Sequence, residues 1–142
     1  MATIKKFEDL EIWQESRILV NKIYELTRQG EFDKDFGLKD QVRRSTVSVM
    51  NNISEGFESR TVKRFIDYLG RSKASCGETR SMLYVALDCK YMTDEQFDEC
   101  YNLATKISRK IYRFTKYLEK YKSNDRVSEA VTSYKTDLQP DE

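Results

Sequence analysis

Histidine is missing from all 142 residues of this chain. That absence removes the commonest general base and the commonest metal ligand. It excludes serine–histidine and cysteine–histidine catalysis, and the Glu-x-x-His arrangement that builds di-iron sites in helical bundles. Proline occurs once and glycine five times. So little punctuation favours long helices. No apolar run approaches the length of a membrane span, and the opening MATIKKFEDL has no apolar stretch of signal-peptide length. Cysteine is limited to Cys76, Cys89 and Cys100, with no CxxC spacing. An odd count without a secretion signal reads as reduced thiols, two of them acting as small hydrophobes on helix stripes. The expectation is a cytoplasmic protein with no cofactor, no metal and no catalytic residues.

Hydrophobic residues make up 39% of the chain and charged residues 35%. That is polar for a globular domain, yet far from the composition of disorder. The length suits a single domain able to bury a core without staples. The formal net charge of +1 is unevenly placed: residues 1–122 carry 23 basic and 19 acidic side chains, residues 123–142 carry 2 and 5. The chain therefore divides into a mildly basic body, 1–122, and an acidic C-terminal tail, 123–142.

Hydrophobic spacing of three, four and seven predicts four long helices. The first spans about Glu8 to Gln29, with Leu10, Trp13, Val20 and Tyr24 on one row and Ile12, Leu19, Ile23 and Leu26 beside it. Gly30 is its stop signal, and Glu31 to Gly37 reads as a connection. The second runs from about Lys39 to Phe57 on Val42, Thr46, Val49, Ile53 and Phe57, with Gly56 near its exit. Thr61 is the expected N-cap of the third, Val62 to about Lys90. Its middle (Ser72, Ala74, Ser75, Cys76, Gly77, Thr79) is made of small residues, so a neighbouring helix should cross there. Gly70 and Gly77 each cost about 1 kcal/mol against alanine in a helix interior, which suggests a packing reason for them. Thr93 to Gln96 forms a capping box opening the fourth helix, Asp94 to about Lys120. The expected architecture is all-α: an antiparallel up-down-up-down four-helix bundle. Val127, Val131, Tyr134 and Leu138 have helical spacing, so the tail is either a short docking helix or a frayed segment ended by Pro140.

On the fourth helix Lys106, Arg109, Arg113, Lys116 and Lys120 recur at intervals of three and four, with Lys110 nearby and Tyr112 and Tyr117 interleaved. A basic stripe with aromatic partners is a plausible footprint for a phosphate backbone, and its tyrosines could stack on unpaired bases. The competing reading is a solvated outer face, aided by cations near a helix C-terminus or neutralised by the acidic tail. A second basic set, Arg60, Lys63, Arg64, Arg71, Lys73 and Arg80, is read as local ion pairing, with Asp67 placed to meet Arg64 and Arg71. Arg43, Arg44, Asn52 and Glu55 interrupt the second helix, and Glu78 sits among the small residues of the third. Those five are expected to form a structural polar network that fixes packing or subunit register. An acid–base role for Glu55 and Glu78 is a remote alternative.

The motifs that carry a family resemblance are FEDLEIWQES at Phe7–Ser16, GL at Gly37–Leu38, QVRRSTVSV at Gln41–Val49, NNISEGF at Asn51–Phe57, FIDYL at Phe65–Leu69, LYVALDCKYM from Leu83 and TDEQF from Thr93. Together they resemble the four-helix-bundle family named for intervening sequences of bacterial 23S ribosomal RNA genes, over about residues 7–121. Met50 stands where many relatives carry proline, Lys39 where a serine or threonine cap is common, and the tail lies outside the family pattern. The resemblance implies antiparallel bundles that assemble into rings, often pentamers. The accessory variability determinant protein of diversity-generating retroelements is similar to that family; it is a basic pentamer that works with a reverse transcriptase and binds nucleic acid. The resemblance thus implies a homo-oligomer, a pentamer by analogy, and RNA or DNA as partner. The alternative is an interaction scaffold that docks another protein through exposed aromatics such as Tyr68, Tyr84 or Tyr112.

Overall fold

The computed structural model describes residues 3–134. Six helices follow in order: α1 (Glu11–Thr27), α2 (Gly30–Lys34), α3 (Phe36–Phe57), α4 (Val62–Asp88), α5 (Asp94–Leu118) and α6 (Val127–Thr132). The four long ones pack in a ring in which α1 meets α3 and α5, and α4 meets α3 and α5. With connections of only a few residues, this is the up-down-up-down bundle expected from the apolar periodicity. Its interior is lined by Leu19 and Ile23 of α1, Val49 and Ile53 of α3, Phe65, Leu69 and Leu83 of α4, and Ile107, Ile111 and Phe114 of α5. Trp13, Val20 and Tyr24, placed by spacing on the buried row, are only half-buried; Ile12, Leu19 and Ile23 hold the core.

Helix ends follow local hydrogen bonding. The first helix begins at Glu11 rather than Glu8, because the Asp9 carboxylate accepts the Lys5 and Lys6 amides at 3.0 and 3.2 Å and holds a separate 3-10 turn at Phe7–Asp9. Gly30 adopts a left-handed φ of 53° just past α1. The expected connection then holds the short α2, whose Phe32 is fully buried and stacks on Tyr91 at 5.2 Å. Asp35, not Lys39, opens α3: its carboxylate accepts the Leu38 amide at 3.1 Å and the Tyr91 hydroxyl at 2.9 Å. Thr61 caps α4, and Thr93 with Gln96 forms the capping box of α5.

The small residues of α4 meet α3, and hydroxyls line the contact. Ser45 and Thr79 share a hydrogen bond of 2.8 Å, Ser48 and Ser75 one of 2.9 Å, and Ser72 donates to the Val49 carbonyl at 2.7 Å. The tightest glycine is Gly56 of α3: an added Cβ would stand 2.7 Å from Phe65 Cδ1 and 2.8 Å from Tyr68 Cβ. Gly70 and Gly77 lack the packing reason expected of them. A Cβ at Gly70 meets nothing within 4 Å, and one at Gly77 meets only Arg80 Nη2 at 3.9 Å.

The start of the acidic tail docks. Val62 and Lys63 donate their amides to the Asp125 and Ser123 carbonyls, and Val127 donates to Arg60. Val127, Ala130 and Val131 are buried, and Tyr134 stacks on Phe114 at 4.4 Å. Leu138 and Pro140 lie outside the described residues.

Candidate nucleic-acid interface

Of the six cations expected on the outer face of α5, one is largely buried against α1 and a second, half-exposed, is engaged beside it. Lys110 is only 13% exposed; it pairs with Glu11 and lies 3.0 Å from Glu15 of α1. Lys106 reaches the same Glu15 carboxylate at 3.0 Å. Glu11 and Glu15 are one helical turn apart, as are Lys106 and Lys110, so the four charges interlock where α1 packs on α5. That matched spacing was present in the sequence and is the signal that would have separated these two lysines from the stripe.

The other four cations are Arg109, Arg113, Lys116 and, just past the end of α5, Lys120. Arg109 and Arg113 share a cleft of about 310 Å³ with Tyr112, Ser108 and Lys73 of α4. Lys116 lies 3.3 Å from Glu119 and 5.4 Å from the Tyr112 ring centroid. The Glu119 carboxylate raises the Lys116 pKa, but both groups are exposed and such a pair adds little to stability. Lys120 lies over Tyr117 at 5.9 Å. The two interleaved tyrosines differ in kind. Tyr112 is 52% exposed, whereas the Tyr117 hydroxyl donates to the Ala130 carbonyl at 2.7 Å and so anchors α6. Asp125 caps the Lys122 amide at 2.9 Å, in the segment that docks beside the start of α4. The acids Asp137, Asp141 and Glu142 lie outside the described residues.

The second basic set begins at Arg60, in the turn before α4, and is spread along that helix. Arg64 and Arg71 do not pair with Asp67 among the described residues; Arg71 instead lies 5.0 Å over Tyr68. Arg80 lies 5.7 Å over Tyr101 of α5. Among the described residues its buried Nε has no hydrogen-bond partner, nor has the buried hydroxyl of Thr105 one turn beyond Tyr101.

The five residues expected to form one buried polar network do not close into one within the protomer. Arg43 donates to Thr27 Oγ1 at 2.8 Å and lies 4.2 Å over Tyr24 of α1, and Arg44 pairs with Asp40 at 2.9 Å. Asn52 donates to Ser48, and Glu55 and Glu78 are exposed. Four of the five, Arg43, Arg44, Asn52 and Glu55, nonetheless line one open groove on α3. Between α3 and α4 the polar contacts are instead serine and threonine hydroxyls, which small-residue content marked only as a close approach. Among the described residues no group of three or more histidine, cysteine, aspartate or glutamate side chains could hold a metal ion. None of the helices among them is long and apolar enough to cross a membrane.

A family model described as 23S rRNA-intervening sequence protein matches residues 8–113. No curated protein matches the chain. Among solved structures, the chain is similar to a protein of unknown function from the S23 ribosomal protein family of Bacteroides thetaiotaomicron. The two are 24% identical and superpose with a TM-score of 0.68 over 74% of this chain and 98% of that one. At that identity the likeness speaks for the fold alone.

Proposed function

This chain belongs to the 23S rRNA-intervening sequence protein family, and from that premise we propose that it works without catalysis, as an oligomeric, cytoplasmic bundle that associates with nucleic acid through α5. The observation that carries the reading is the cleft in which Arg109, Tyr112 and Arg113 face Lys73 of α4, with Lys116 further along the same helix and Lys120 just past its end. Cations repeated along one helix beside an exposed aromatic ring suit a phosphate backbone. Lys106 and Lys110, engaged with Glu11 and Glu15, are assigned to holding α1 on α5. A homo-oligomer, a pentamer by family resemblance, would repeat the basic face around a ring.

A second reading is a protein-docking scaffold, favoured by Tyr84 and Val85, which are 48% and 46% exposed on α4. Fluorescence anisotropy with structured RNA and duplex DNA over a salt series separates the two, with native mass measured on the same sample. Salt-sensitive binding that is lost in the triple variant Arg109→Glu, Arg113→Glu, Lys116→Glu supports the nucleic-acid reading. No binding at low salt by the folded wild type overturns it in favour of the scaffold.

A further inference from the structure

Away from the basic face of α5, an open cleft of about 520 Å³ lies where the segment before α1, the turn between α3 and α4, and the start of α6 meet. Each of these brings one cation to it: Lys5, Arg60 and Arg126. Glu58 is the one acid of the lining, so the three cations exceed it by two. Buried Ile4 and Val127, with half-buried Phe57, form its apolar side. None of these residues belongs to the cleft of Arg109 and Arg113.

Two features set the arginines apart. The first is their forced proximity. Thr61 and Arg126 pair in an isolated antiparallel bridge, and the Val127 amide donates to the Arg60 carbonyl at 2.9 Å. The backbones of Arg60 and Arg126 are thereby fixed beside each other, and like charges so placed repel. Among the described residues neither guanidinium has an ion pair, a hydrogen bond or a ring contact to offset this. The second feature is the left-handed φ of 81° at Arg60. Among the described residues the other non-glycine with such a φ is Lys90, which directly follows the C-cap of α4. A left-handed residue commonly closes a helix at that place. Arg60 stands one residue beyond the equivalent place after α3, whose C-cap is Glu58. Glycine would take this conformation without strain. An arginine there keeps a long cation beside a like charge at a backbone cost.

The geometry points to a binding site for a phosphomonoester, with its phosphate between Arg60 and Arg126 and Lys5 at the rim. A phosphomonoester carries roughly two negative charges near neutral pH, which matches the excess of the cleft, whereas each phosphodiester inside a strand carries one. Guanidinium forks suit phosphate oxygens, and the apolar side of the cleft takes the carbon skeleton. A free nucleotide and the 5′-phosphate end of a strand both present this chemistry.

The test titrates uridine 5′-monophosphate and uridine into the full chain by calorimetry, and compares 5′-phosphorylated with 5′-hydroxyl oligouridine by anisotropy. The 5′-phosphate should improve affinity at least tenfold in one pair or both. Binding of the monophosphate with no discrimination between the strands assigns the site to a free phosphomonoester. Discrimination between the strands alone assigns it to a strand end. Arg60→Gly is the decisive variant: relief of the left-handed strain and of the repulsion should leave its melting temperature unchanged or higher, while the preference for phosphate disappears. Arg126→Gln should weaken phosphate binding about tenfold, the size expected for a lost charged hydrogen bond. The triple variant Arg109→Glu, Arg113→Glu, Lys116→Glu should keep the preference, because it leaves this cleft intact. No preference for the phosphate in either pair overturns the site. So does a folded Arg60→Gly that keeps the preference. A preference lost only in the triple variant places the anion on α5, and the proposal fails while the basic face stands.

Discussion

The ammonium of Lys110 lies 3.0 Å from both carboxylate oxygens of Glu15, and the two side chains are 13% and 12% exposed. A pair so far removed from water belongs to the packing of α1 on α5. Removing one partner strands the other charge in a poorly solvated place. Lys110→Met should therefore cost about 2–4 kcal/mol in urea unfolding, somewhat relieved by Lys106 at 3.0 Å from the same carboxylate. The double variant Lys110→Met, Glu15→Leu should recover most of that loss, because two apolar side chains replace the buried pair. If the single variant loses under about 0.5 kcal/mol, the pair is a surface contact and Lys110 returns to the basic face.

Gly56 and Gly70 make opposite predictions from the same substitution. A Cβ at Gly56 would stand 2.7 Å from Phe65 and 2.8 Å from Tyr68, closer than packed atoms tolerate. Gly56→Ala should force α3 and α4 apart and cost about 1–3 kcal/mol. Gly70 has open space around its Cβ position, so Gly70→Ala should raise stability by up to about 1 kcal/mol through helix propensity alone. Thermal melts of the two variants should move in opposite directions. A Gly70→Ala melt that falls would reveal a contact at that position in the assembled protein.

The four long helices were legible because a buried stripe repeats with the helical period, and because caps such as Thr61 and Thr93 are local signals. Boundaries moved where a side chain bonded backbone that periodicity ignores, as at Asp9 and Asp35. The glycines are hard to read for a different reason. Sequence shows that a helix tolerates a costly residue, not which neighbour demands it, so the close contact at Gly56 is no more visible there than the open space at Gly70. The basic stripe was legible as a pattern on α5. Its division into inward and outward lysines needed α1, since Glu15 lies 95 positions from Lys110 and only the fold joins them. Within the protomer the expected polar network does not close, for the same reason: Arg43 meets Thr27 and Tyr24 across a helix interface that sequence alone does not specify.

Thiol chemistry should distinguish the three cysteines. Cys89 is exposed, whereas Cys76 and Cys100 are buried. Burial pushes the Cys76 thiol up to about 12 and the Cys100 thiol up to about 11, so neither supplies the reactive thiolate near neutrality. A disulfide reagent at pH 8 should titrate one thiol per folded chain rapidly and the remaining two only after denaturant is added. The same shift makes stability fall with alkali. The unfolded thiol ionises near 9.0 while the folded Cys76 stays protonated, so its contribution is whole below that pH and is lost as pH rises towards 12. By pH 10 the loss from Cys76 should be about 1.4 kcal/mol. In Cys76→Ala that component of the decline should vanish. Three fast thiols in the native protein would show that the bundle opens at α4 and α5.

Tyr134 tests whether the start of the acidic tail belongs to the bundle. Its ring stacks on Phe114 at 4.4 Å and meets Tyr117 at 4.7 Å, while Tyr117 holds the Ala130 carbonyl at 2.7 Å. Loss of that ring uncovers Phe114, itself only 1% exposed. Tyr134→Ala should cost about 2–3 kcal/mol, from lost apolar burial and two aromatic contacts. Tyr134→Phe keeps both rings and should stay within about 0.5 kcal/mol of wild type near neutral pH. Burial raises the Tyr134 phenol pKa, opposed by Arg113 and helped by Glu11. The unfolded phenol therefore ionises first, and wild type should lose stability as pH rises above about 10. Tyr134→Phe lacks that titration and should decline less over the same range, so the two urea midpoints should cross or converge in alkali. If Tyr134→Ala unfolds at the wild-type midpoint, α6 contributes nothing to stability and the body ends near residue 122, where the change in charge along the sequence divides the chain.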